Sequence, residues 1–294
     1  MSASAVRDIP PLGTVEQDKR LATPSVVVER SRGWASLGLR DVWEYRELLL
    51  YLIWREIQGA YRQTALGLSW LFLRPVLNMA LLSFVFGRLV QVPSDGAPYP
   101  LFSLAALLPW GFFSNAVLRA SRSLVDNMHV ISKVYFPRLV IPIAGAASGL
   151  MDFAASFCVL LVALFVYRTP LRVEALWLPV YMLVALGFAL AVGLWLATLS
   201  VKYRDVSFAV TFLLQALMYV SPVIYPVSIV PASVRFFFDL NPITVVIQGF
   251  RWALLDVGTA PGSNLLVASA VVMVGMITGA YVFRRTERTV VDIL

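Results

Sequence analysis

One carboxylate and one amide lie deep within apolar segments of this sequence, where each needs a polar partner. Asp152 is the only charged residue in residues 139–167, and Asn78 lies at a similar depth within residues 68–90. A carboxylate inside an apolar helix is a candidate proton or cation site, although no second acid accompanies this one. We therefore predict a structural hydrogen bond between Asn78 and Asp152, with a proton or cation site as the alternative.

A second candidate is a set of side chains in residues 206–225 that could contact a sugar chain. They recur at intervals of four, three and four residues, on one face of a helix: Phe208, Phe212, Gln215 and Tyr219. Aromatic rings stack on sugar rings, and the polar ends bond hydroxyls. Helix packing or lipid contact is the alternative, but Gln215 gains nothing from facing lipid. Trp70 and Phe72, at the start of the first apolar segment, extend the same hypothesis.

The chemistry that the sequence lacks limits its function. Lysine never follows glycine, so the chain has no phosphate-binding P-loop of its own. His129 is the only histidine and Cys158 the only cysteine, which excludes a cluster of His and Cys metal ligands. No Gly-x-Ser-x-Gly motif is present either. We expect no catalysis and no metal or cofactor on this chain.

The elements that position these side chains are predicted to be membrane helices. Hydrophobic residues make up 59% of the 294 residues and charged residues only 14%, well below the quarter that is usual in soluble proteins. A span needs about 20 mostly apolar residues. Six segments qualify, and they predict an all-α membrane protein: residues 68–90, 101–118, 139–167, 175–201, 206–225 and 264–283.

The distribution of positive charge predicts the orientation. Eighteen of the 24 Lys and Arg residues fall in residues 1–67, 119–138, 202–205 and 284–294. These segments alternate with loops that carry few positive charges, so both termini are predicted to be cytoplasmic. Residues 1–35 are predicted to form a flexible cytoplasmic tail. The net charge of +7 reflects this bias, and we expect contact with membrane lipids and none with nucleic acid.

Amphipathic segments flank the predicted spans. Residues 41–58, with Trp43 and Trp54, are typical of a helix lying in the cytoplasmic interface, although a helix of a small soluble domain is the alternative. Residues 227–256 are interrupted by prolines, and Asn241–Pro242 predicts a new helix start. The polar residues of that helix share one face, so we expect short outer-side helices that dip into the membrane beside the exit of a pore: Thr244, Gln248 and Arg251.

The order of these segments resembles the ABC-2 type permeases, most closely the branch that exports polysaccharides such as O-antigen, capsule and teichoic acid. Several motifs carry the resemblance over roughly residues 40–290: YRQTALGLSWLFLRPVL, VISKVYFPRLVIP, KYRDV, SPVIYP and NPITVVIQGFRWALL. Residues 36–294 would then form one ABC-2 transmembrane domain, with an interface helix at residues 41–58 and an outer gate at residues 227–256.

The resemblance implies that residues 127–138 are a coupling helix that docks onto a separate ATP-binding subunit. Apolar side chains would fill a pocket of that subunit, and two basic ones would lie at its rim: Val130, Val134, Tyr135 and Phe136, then Lys133 and Arg138. The alternative is an ordinary cytoplasmic loop. ATP and magnesium would be bound by the partner, which explains why this chain has no P-loop.

The implied machine is a homodimer of this chain with two ATPase subunits in the bacterial cytoplasmic (inner) membrane. A lipid-linked glycan would move outward through a conduit between the two copies, bounded by the first and fifth spans. The alternatives are an ABC-2 permease for a drug or small lipid and a proton-coupled carrier that uses Asp152. A membrane transferase is disfavoured because the sequence has no catalytic cluster.

Overall fold

The computed structural model describes residues 39–61, 67–131, 133 and 136–293. Within these ranges the chain forms α-helices with short 3₁₀ and π segments and no β-strand. The α-helices are α1 (Leu39–Glu44), α2 (Arg46–Tyr61), α3 (Ser69–Leu82), α4 (Tyr99–Asp126), α5 (Met128–Ile131), α6 (Val140–Val166), α7 (Leu178–Lys202), α8 (Val206–Val220), α9 (Ala232–Leu240), α10 (Pro242–Leu255) and α11 (Ser263–Ile293). This confirms the all-helical fold class. The predicted tail, residues 1–35, lies outside the described residues.

Five helical segments of the described chain are long and apolar enough to cross a membrane: Ser69–Leu89, Tyr99–Asp126, Val140–Val166, Val173–Lys202 and Ser263–Thr286. The fifth predicted span, residues 206–225, is only partly helical. Its helix α8 has 15 residues, about 22 Å at 1.5 Å per residue, against a hydrocarbon core of about 30 Å. The structure therefore shows five helices of span length in the described chain and a shorter apolar helix, α8, and the count of six spans is not confirmed.

The second predicted span is longer than expected because α4 continues past residue 118 to Asp126. Arg119 and Arg122, which the sequence analysis assigned to a loop, lie on this helix. Their long side chains allow the charged groups to reach partners while the helix remains apolar around them. This extension places Arg119 opposite the carboxylate of α6.

The buried core of the bundle is built around α4, which packs against α6, α7, α10 and α3. Small residues of α6 allow the close approach. A Cβ on Gly145 would lie 3.3 Å from the backbone of Arg119, and one on Gly149 would lie 3.5 Å from the ring of Phe112. These contacts show that the small residues of α6 pack closely against α4.

The predicted interface helix, residues 41–58, is divided at Tyr45 into α1 and α2. Helix α2 packs along α6, and its Leu52 is buried in a cluster with Leu139 and Phe283. The two tryptophans point outward, with Trp43 72% and Trp54 58% exposed.

The predicted gate segment forms a 3₁₀ turn at Val227–Ile229 followed by α9 and α10. Asn241 caps α10, because its side-chain oxygen accepts a hydrogen bond from the backbone N–H of Ile243 at 3.3 Å, and Pro242 is the first residue of the helix. The predicted helix start is confirmed.

The polar face of α10 differs from the expectation. Thr244, Gln248 and Arg251 are all at least 95% buried within the protein, so these side chains contact other parts of the chain, and the position of the helix beside a pore stays a prediction.

Candidate functional site

The aromatic stripe of α8 lies on the surface of the isolated chain. Phe208 is 78% exposed, Phe212 70% and Tyr219 58%, and Gln215 is exposed beside them. Only Val210 of this helix is buried. Helix α8 packs against α4 and α7 through its other side. The four predicted conduit residues therefore share one open face, which no helix in the described part of the chain covers.

The second predicted conduit element, at the start of α3, is also open. Phe72 is 48% exposed and Trp70 is half-buried. Further apolar side chains continue the exposed surface along the helix: Val76, Leu77, Leu81 and Phe84. Helix α3 packs against α4 and α6, while α8 packs against α4 and α7. The chain thus presents two unpartnered apolar helix faces.

The predicted hydrogen bond between Asn78 and Asp152 is wrong. Asn78 is exposed on α3, and Asp152 instead accepts a 2.7 Å hydrogen bond from the guanidinium of Arg119. The same guanidinium donates to Ser148 Oγ at 2.8 Å. An opposite charge satisfies a buried carboxylate better than an amide does. The sequence analysis missed this pair because it ended the second span one residue before Arg119.

The predicted coupling segment is only partly described. Val134 and Tyr135 lie outside the described residues, and α5 contributes four helical residues, Met128–Ile131. Lys133 is exposed, while Val130 and Arg138 are half-buried. Phe136 differs from the expectation, because it is 94% buried in the cluster that contains Leu52 and Leu139. It anchors the segment to its own chain and is not free to enter a partner.

The start of this segment is tied to α2. The guanidinium of Arg55 donates to the side-chain oxygen of Asn127, and the amide nitrogen of Asn127 donates to the backbone oxygen of Ser123 at 2.8 Å. Asn127 is 95% buried. The junction between α4 and α5 is therefore held in place by a side chain from the predicted interface helix.

A buried arginine on α10 holds the turn that follows α8. Arg251 is 98% buried and donates to three backbone oxygens of that turn: Pro222 at 2.7 Å, Val223 at 2.8 Å and Tyr225 at 3.3 Å. The remaining carbonyl, that of Ile224, accepts from the Tyr99 hydroxyl at 2.7 Å. Four consecutive carbonyls of a non-helical segment are thus satisfied by side chains, as the low-dielectric interior demands.

The aromatic ring beneath this arginine completes its surroundings. The guanidinium carbon lies 3.5 Å from the centroid of the Phe102 ring, and Nε donates to the Phe102 carbonyl at 3.3 Å. A desolvated guanidinium over an aromatic face gains cation–π attraction. We call Arg251, Tyr99 and Phe102 the turn clasp. The sequence signal for it was the proline-rich SPVIYP motif, whose freed carbonyls require donors from elsewhere in the chain.

Within the described part of the chain, no three His, Cys, Asp or Glu side chains lie close enough to hold a metal ion. The structure instead brings together aromatic side chains, the Arg119–Asp152 ion pair and backbone carbonyls that accept hydrogen bonds from side chains. Such an arrangement can bind, guide and position a molecule.

The family model described as ABC-2 type transporter matches residues 47–255, which includes α3, α4, α6, α7, α8 and α10. This match covers more than half of the chain. The protein belongs to the ABC-2 type transporter family and is a multi-pass membrane permease.

Curated relatives cover most of the chain. The O-antigen export system permease protein RfbA of Myxococcus xanthus is 30% identical over 246 residues, which are 82% of this chain and 93% of the relative. RfbA of Klebsiella pneumoniae is 24% identical over 84% of this chain and 95% of its own length. The inner membrane transport permease YadH of Escherichia coli K12 is 28% identical over 70% of this chain and 82% of its own length.

Proposed function

We propose that this chain is the permease subunit of an ATP-driven exporter that moves a lipid-linked, O-antigen-like polysaccharide out through the cytoplasmic membrane. Two copies of the chain would enclose the conduit, and two ATP-binding subunits would drive it. ATP and magnesium belong to those subunits. The names of the RfbA relatives support the polysaccharide class.

The observation that carries the proposal is the exposed stripe of α8. In water-soluble proteins large exposed apolar patches mark interaction sites, and in a membrane an exposed amide such as Gln215 needs a polar environment. A conduit between two copies provides that environment. Aromatic rings with occasional hydrogen-bonding groups hold sugars weakly enough to release them, which continuous movement requires.

The coupling to ATP is assigned to residues 127–138. Lys133 is exposed at the turn that follows α5, and Arg55 fixes Asn127 at the start of the segment. A force applied here by a partner would reach α4 directly and α2 through the Arg55 contact. The positive charge bias supports a cytoplasmic position for this segment and for both termini, where an ATPase would bind.

The docking assignment is tested by co-purification from the native host. We expect an ATP-binding subunit to copurify stoichiometrically with the tagged wild-type chain. Lys133→Ala combined with Tyr135→Ala should lower its recovery roughly tenfold, the effect of losing an interface hot spot. Phe136 is excluded from the test because its removal would disturb the chain's own core.

The matched control is Lys202→Ala, which removes an exposed lysine from the other predicted cytoplasmic loop. Its recovery of the ATPase should equal that of wild type. Full recovery with the double variant would refute the docking site. A chain that purifies alone and transports with a proton gradient but without ATP would refute the exporter.

The substrate class is tested separately by deleting the gene and staining the cell surface. Loss of a surface polysaccharide, with its lipid-linked precursor accumulating inside, is the expected result. An unchanged surface together with retention of a drug or a small lipid would assign the chain to another branch of the family.

A further inference from the structure

A cavity of about 290 Å³, lined by both polar and apolar residues, lies at the end of the bundle opposite residues 127–138. Its walls come from the loop before α4, the turn after α8, α9, α10 and the start of α11. The Phe102 ring and the Arg251 guanidinium of the turn clasp line it. Because the clasp fixes both groups, this part of the wall is preorganised.

The clearest sign of a ligand is an amide with unused hydrogen-bonding capacity. Gln248 is 95% buried and lines the cavity. Its side-chain oxygen accepts from the Thr259 hydroxyl at 2.9 Å, and its amide nitrogen bonds no residue that the structure describes. Reversing the amide leaves the oxygen unused instead. In either orientation one strong polar atom of a buried side chain is available to the cavity.

The charged side chains of the cavity also have unused hydrogen-bonding capacity. Asp95 accepts from Ser228 at 2.8 Å, Asp239 accepts from Asn264 at 3.4 Å, and Arg235 donates to the carbonyl of Val227 at 3.1 Å. A carboxylate accepts about four hydrogen bonds and a guanidinium donates five. Several donors and acceptors therefore converge on one small volume.

The balance of charge decides between classes of ligand. Two carboxylates, Asp95 and Asp239, face two guanidinium groups, those of Arg235 and Arg251, so the lining has no net formal charge. Most N–H groups of Arg251 are already used by carbonyls. An anion would meet two carboxylates, and a cation two guanidiniums. A neutral molecule with several hydroxyls matches the mixed donors and acceptors.

We propose that this cavity is a binding site for one neutral sugar ring on the outer side of each protomer. The volume is at the lower limit of ligand pockets, about 300–1,000 Å³, which fits one ring. Gln248 and Asp239 bond vicinal hydroxyls of that ring. The inference rests on the proposed function in one respect, since the exported glycan is the source of the sugar.

The test measures binding of free sugars to the purified wild-type chain in lipid nanodiscs by saturation-transfer NMR. The probes are glucose, galactose, mannose, rhamnose and N-acetylglucosamine. At least one should bind saturably with a dissociation constant in the millimolar range. Gln248→Leu and Asp239→Asn should each weaken that binding about tenfold or more, because a partner of a sugar hydroxyl is lost.

The control is Gln58→Leu, the same change at an exposed position of α2, which should bind as wild type does. Asp239→Asn keeps the shape of its side chain, so it remains informative if Gln248→Leu fails to fold. No saturable binding of any of the five sugars would overturn the proposal. Binding that neither cavity variant weakens would also overturn it.

These outcomes are separate from those of the proposed function. If the wild-type chain exports glycan but binds none of the sugars, the exporter function is supported and the cavity site is refuted. If the chain binds a sugar in the cavity but deletion of its gene leaves the surface polysaccharide unchanged, the cavity site is supported and the exporter function is refuted.

Discussion

Helices α8 and α10 are nearly equal in length, with 15 and 14 residues, and differ almost completely in burial. Helix α8 carries no charge and buries one residue, whereas α10 carries an arginine and buries twelve. In water the more apolar helix would be the interior one. In a membrane, exposing a polar group to lipid costs free energy. The polar helix is therefore enclosed by protein, whereas the apolar helix can stay on the surface of the chain.

This difference assigns separate roles to the two helices. Helix α10 is scaffold, because its arginine satisfies the turn that ends α8 and its backbone lies against α7. Helix α8 is a surface, held at one end by the turn clasp and at the other by a 3.2 Å hydrogen bond from Arg122 to the carbonyl of Ser207. Changes at Arg251 and Gly249 of α10 should therefore act on stability and changes in α8 on transport.

The largest effect is expected from Arg251→Leu. It removes the donor for four buried carbonyls, including that of Phe102, and should cost about 3 kcal/mol or more, so little folded protein remains. Thermal unfolding followed by size-exclusion chromatography measures it. Arg88→Leu, an exposed arginine, should change stability by less than about 0.5 kcal/mol. Equal stability of the two variants would refute the scaffold role of α10.

The second effect concerns the contact between α10 and α7. A Cβ on Gly249 would lie 2.1 Å from the ring carbon Cζ of Tyr181, so Gly249→Ala should cost about 1–3 kcal/mol through overpacking. The matched control is Gly111→Ala in α4, where the added Cβ meets nothing within 4 Å. That change should be neutral or stabilising, since alanine favours a helix by up to about 1 kcal/mol over glycine.

The third effect tests the intramembrane ion pair. Asp152→Asn leaves the Arg119 charge without its counter-ion and should lower stability by about 1–2 kcal/mol. Adding Arg119→Gln should recover part of the loss, and a double-mutant cycle isolates the pair. Export should largely persist, because the carboxylate is structural in this account. Complete loss of transport by a stable Asp152→Asn protein would instead favour the proton-coupled alternative.

The smallest effect on stability is expected in α8. Phe212→Ala removes a ring that is 70% exposed and should change stability by no more than about 0.5 kcal/mol. It should nevertheless slow glycan export severalfold. Phe165→Ala, at an 85% exposed position of α6, is the control that should affect neither quantity. A loss of export equal in both variants would show that α8 has no special role.

The sequence was sufficient to predict the helical class because apolar runs of span length occur in few other folds. It also predicted the Asn241 cap, where residue types alone define the geometry. It failed for the partner of Asp152, since Arg119 was assigned to the loop after the second span. Long side chains allow an arginine to remain within a helix, and periodicity gives no information about such pairing.

The burial of α10 could not be predicted for a similar reason. Its polar residues share one face, a pattern that fits a helix at a water interface as well as one facing polar backbone. Only the three-dimensional structure reveals that the SPVIYP turn supplies that backbone. The shared face of the α8 stripe was easier to predict, since the spacing of its residues is helical; that this face lines a conduit stays a prediction.

The most direct test of the account is the chemical accessibility of α8 in exporting cells. In a Cys158→Ser background, Phe212→Cys and Phe165→Cys are treated with a charged, water-soluble maleimide. Since Phe212 faces the conduit in this account and Phe165 faces lipid, the position 212 variant should react rapidly and the position 165 variant hardly at all. Equal and negligible reaction at both positions would place α8 against lipid and contradict the conduit.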